Sequence, residues 1–67
     1  MENKSIICQL LLSAVRSTRA GSDVDAIIYD DEQEVATIYY DNGYSKAVNV
    51  ACDSGIAMMR DILEAIH

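Results

Sequence analysis

Carboxylates are the reactive side chains this sequence supplies in quantity. Asp23, Asp25, Asp30, Asp31, Glu32, Glu34 and Asp41 place seven of the eleven acidic residues within nineteen positions. Paired carboxylates can hold a divalent cation or move protons between reacting atoms. An EF-hand calcium loop needs alternating oxygen ligands, a central glycine and a terminal glutamate, and this spacing matches no such order. Charge runs of this kind usually mark solvated strand ends and hairpin loops. The alternative use is electrostatic. Asp23, Asp25, Asp30, Asp31, Glu32 and Glu34 form a candidate edge for a protein partner with a basic surface. No metal site and no cofactor are expected.

Nucleophilic chemistry has less to draw on. Cys8 and Cys52 both lie in apolar stretches, and two cysteines are too few for a disulfide scaffold. They read as small buried or half-buried hydrophobes. The single histidine, His67, stands at the chain end, so no serine or cysteine has a histidine-plus-acid partner in view. Ser54-Gly55 could offer backbone N–H groups to an anion, but the adjacent Asp53 would repel one. No catalytic residue is assigned, and the chain is expected not to be an enzyme.

Four tyrosines, Tyr29, Tyr39, Tyr40 and Tyr44, are the only aromatic residues. Tyr29 and Tyr40 are expected at the edge of the core. Tyr39 and Tyr44 are candidate anchors of an interface, where a ring with a polar tip is at home. Base stacking would also need cations, and the formal net charge is −6. Direct nucleic-acid binding is therefore excluded. The apolar run from Ile6 to Leu12 is interrupted by Gln9 and is far shorter than the ~20 residues that span a bilayer. A soluble, cytoplasmic protein without a membrane partner is expected.

These side chains must be positioned by the elements of one small domain, since a chain of 67 residues buries only ~60% of the surface it exposes unfolded. Ile7, Leu10, Leu11, Ala14 and Thr18 recur on one helical stripe, widened by Cys8, Leu12 and Val15. A helix over 5–20 follows, capped by Asn3 or Ser5 and stopped by Gly21. Strands are expected over 24–30, 35–41 and 44–51. A second helix over 54–66 starts at Asp53 or Ser54 and buries Ile56, Met59, Leu63 and Ile66, with Ile62 beside them. The fold class is α+β, with α-β-β-β-α order, a three-stranded antiparallel meander and two helices packed on it.

Asn42-Gly43 is a strong signal for a two-residue hairpin. That turn sets Asp41 against Tyr44, Tyr39 against Lys46, Thr37 against Val48 and Val35 against Val50. A first loop of two or four residues puts Ile27 and Tyr29 on the opposite face, with Ala36, Ile38, Tyr40, Ser45, Ala47, Asn49 and Ala51, and leaves Val24, Ala26 and Ile28 with the first set, whereas a three-residue loop swaps them. The face rich in small residues suits both helices. The other face exposes Val35, Thr37, Tyr39, Tyr44, Lys46, Val48 and Val50, the candidate self-association face. Either a second subunit or the first helix covers it.

The element order is similar to that of the double-stranded-RNA-binding domain. The basic start of that family's second helix is replaced here by Asp53-Ser54-Gly55, so RNA binding is not implied. The acidity and the sheet with flanking helices also resemble small anti-CRISPR proteins, which present carboxylates in place of DNA phosphates. Two functions follow as expectations. The first is a non-enzymatic acidic protein-interaction module that forms a homodimer. The alternative is an acidic nucleic-acid mimic that inhibits a DNA- or RNA-binding protein.

Overall fold

In the computed structural model, which describes residues 3–66, the chain runs α1 (Lys4–Arg16), β1 (Val24–Asp30), β2 (Val35–Tyr40), β3 (Ser45–Asn49) and α2 (Gly55–Ile66). The strands form an antiparallel sheet in the order β1-β2-β3. The α+β class and the α-β-β-β-α order read from the sequence are those observed. Both helices lie on one face of the sheet. Cys8, Leu11 and Val15 of α1 and Met58 and Ile62 of α2 share a single core with Val24, Ile27, Ala36, Ile38 and Val50.

Local chemistry explains where α1 begins and ends. Asn3 Oδ1 accepts a hydrogen bond from Ile6 N at 3.1 Å, which satisfies one of the first-turn donors. At the other end α1 stops at Arg16, four residues short of the expected end. Ser17 N donates to Ala14 O, and Thr18 Oγ1 donates to Val15 O at 2.6 Å while accepting from Gly21 N. Two consecutive hydroxyl residues thus take over the last carbonyls and turn the chain out of the helix. Gly21 is needed for a different reason than a helix stop. A Cβ there would press on Val15 Cγ1 and lie 2.5 Å from Val15 O, so only glycine lets the chain pass that close.

The helices are also rotated from the expected stripes. Core positions in α1 are Cys8, Leu11 and Val15, with Ile7 and Leu12 half-buried and Leu10 exposed. In α2 they are Gly55, Met58 and Ile62, while Ile56 and Leu63 are exposed. Each apolar stripe is wider than the strip a sheet can cover. The sheet takes one flank of it and leaves the other in solvent.

The hairpin between β2 and β3 corrects the expected register by one residue. A two-residue type I′ turn requires positive φ at both Asn42 and Gly43. Only Gly43 has it, at 89°. Tyr40 N donates to Tyr44 O at 2.8 Å and Gly43 N to Tyr40 O at 3.1 Å, so the loop holds three residues, Asp41-Asn42-Gly43. The partners become Tyr39–Ser45, Thr37–Ala47 and Val35–Asn49. A one-residue slip sends every side chain of β3 to the other face. Here the slip turns Val48 toward the core and puts Ser45, Ala47 and Asn49 in solvent, which suits the polarity of Ser45 and Asn49.

The first hairpin has the four-residue loop 31–34, and Ile27 and Tyr29 face the helices as expected. Val24 does not stay on the open face. A bulge at Asp25 separates Val24–Tyr40 from Ala26–Tyr39 and turns Val24 into the core, where it is buried.

Candidate interaction surfaces

The candidate self-association residues fall into two groups. Val35, Thr37 and Tyr39 lie on the open face of the sheet. Tyr44, Lys46 and Val48 belong to the helix-facing side, and Val50 is fully buried just past β3. The shifted register is the cause. Tyr44 sits beside Tyr40 with ring centroids 5.7 Å apart. Lys46 Nζ donates to Ala65 O at 3.1 Å, which places a cation on the last carbonyls of α2. It therefore does not lie beside Asp41 at an interface. What remains on the open face is Ala26, Ile28, Asp30, Val35, Thr37, Tyr39, Ser45, Ala47 and Asn49. Ile28 is 55% exposed and Tyr39 43%. The surface is mixed, with polar residues along β3.

The acidic edge is similarly divided. Asp30, Asp31, Glu32 and Glu34 surround the β1–β2 loop. Asp23 and Asp41 meet at the far end of the sheet, where Asp41 N donates to Asp23 O. Asp25 projects from the bulge near that end. All seven are exposed. Two of them have local structural duties. Asp30 Oδ1 accepts from Glu32 N at 2.9 Å and from Gln33 N at 3.3 Å, an Asx turn that shapes the loop. Glu34 occupies the left-handed region, with φ of 56°, and its carbonyl accepts from Val50 N. No cation lies between Asp23 and Asp41 in sequence. The helices differ in kind, carrying Lys4, Arg16 and Arg60 against Asp61 and Glu64. Charge is thus uneven along the chain, with strongly acidic strand ends and loops and nearly neutral helices.

A third surface was not anticipated. The C-terminal turns of α1 and α2 diverge and leave an apolar groove of about 350 Å³. Leu11, Ala14, Val15 and Thr18 form one wall, Leu63 and Ile66 the other, and Ala20 closes it. A second, shallower depression runs along α2 past Ile56, Met59, Arg60, Leu63 and Glu64. The residues expected to face the sheet are largely the ones lining these depressions. The signal was present in the sequence as stripes too broad for a single contact.

One titratable pair also escaped the sequence reading. Asp53, just before the helix cap, shares a side-chain hydrogen bond with Asp61 two turns up α2. That bond, followed by desolvation and the Asp61 charge, pushes the Asp53 carboxyl above its usual range, against the pull of Lys4 and Arg60. Asp53 Oδ2 is buried without a hydrogen-bond partner. Ser54 is the cap itself, with Oγ accepting from Ala57 N. Its N-terminus is thus occupied locally.

Cys8 is buried and desolvation pushes its thiol up, so it is a core residue as expected. Cys52 is exposed, contrary to expectation, because the turn after Val50 carries it outside the core; both thiols are free. Among the described residues, no group of three or more His, Cys, Asp or Glu is placed to hold a metal ion, and no helix is long and apolar enough to cross a membrane. His67 lies outside the described residues. No protein-family model, curated protein or solved structure matches this chain.

Proposed function

We propose that this chain is a non-enzymatic acidic protein-interaction module that associates with a copy of itself. The observation that carries the proposal is the apolar surface left outside a small two-layer fold. Among the described residues, Ile6, Leu10, Ile28, Tyr39, Tyr44, Ile56 and Leu63 are exposed. Four of them stand on the helices, where Leu63 lines the groove between α1 and α2 and Ile56 and Leu63 line the depression along α2. Contiguous apolar patches of this kind mark docking surfaces. The non-enzymatic part is supported by the engagement of the reactive groups. Cys8 is in the core and Asp30 shapes a turn. Sedimentation equilibrium tests the proposal. The apparent mass should rise from one chain toward two with concentration, and a single-chain mass throughout would refute self-association.

A second reading has its own observation. Seven exposed carboxylates without an intervening cation, at the two ends of the sheet, favour a partner with a basic surface. An acidic mimic of a nucleic acid would use them. Under that reading, Asp30→Asn combined with Asp31→Asn, Glu32→Gln and Glu34→Gln removes salt-sensitive binding to a cationic DNA-binding protein. Binding that survives these changes would exclude it.

A further inference from the structure

We draw no further inference here: the strongest candidate, the apolar groove that Leu11, Ala14, Val15, Leu63 and Ile66 line between the C-terminal turns of α1 and α2, is an open apolar surface, and nothing in the structure shows what covers it.

Discussion

Cys8 and Cys52 carry the same thiol in opposite surroundings, and that contrast is directly measurable. The thiolate is the reactive form, and burial raises the Cys8 pKa while blocking access. Alkylation of the folded protein should modify Cys52 within minutes and spare Cys8 until denaturant is added. Equal rates at both would show that the Cys8 environment opens readily. Asp53 supplies a second test. Its folded pKa is raised, so protonation favours the folded state. The stabilising contribution is fully present below the ordinary carboxyl pKa and is lost as pH rises through the raised folded value. Asp53→Asn imitates the protonated form and should melt above wild type at neutral pH, with the gap closing as pH falls. A gap that widens toward acid pH would contradict the Asp53–Asp61 pairing.

At the scale of the element, α2 shows why periodicity and burial are different quantities. Ile62 and Leu63 are neighbours of similar size. Ile62 is fully buried in the core, and Leu63 stands on the groove wall. Ile62→Ala should cost about 2–5 kcal/mol, the range for removing a large aliphatic from a packed core. Leu63→Ala should cost the monomer less, about 1 kcal/mol, because nearly half of its surface stays in water and no closed cavity is left. Thermal or urea unfolding of the two variants side by side checks this. Equal losses would mean that Leu63 is packed as tightly as Ile62. The sequence stripe ranks Leu63 ahead of Ile62, and the sheet reverses that order.

Over the whole molecule the dominant electrostatic fact is the separation of charge. The stretch from Asp23 to Asp41 holds seven exposed carboxylates and no cation, whereas the helices carry Lys4, Arg16 and Arg60. Self-repulsion of that stretch opposes folding. Raising salt from about 0.05 to 0.5 M should therefore raise the melting temperature, because screening acts on exposed charges of one sign. A melting temperature that falls with salt would indicate that attractive pairs dominate instead. The only ion pair among the described residues, Arg60 with Asp61 at 3.6 Å, joins an exposed guanidinium to a half-buried carboxylate and does not offset the repulsion.

The sequence by itself determined the class and order of the elements, the β1 boundaries and the acidity of the segment from Asp23 to Asp41, and it narrowed the α1 cap to Asn3 or Ser5. These are local properties. Helical period, β-branched runs, capping side chains and turn residues act over a few positions and leave a trace there. The tertiary structure decided the rest. Whether Asn42-Gly43 closes a two- or three-residue loop depends on which face of β3 meets the helices, and the longer loop turns the half-buried Val48 against the core. That single residue of register moved Tyr44, Lys46 and Val48 off the presumed interface. Likewise, the bulge at Asp25 buried Val24, and the rotation of each helix was set by the width of sheet available beneath it. The groove between α1 and α2 exists because two apolar stripes, each broader than a sheet contact, share one face of a three-stranded sheet too narrow to cover them.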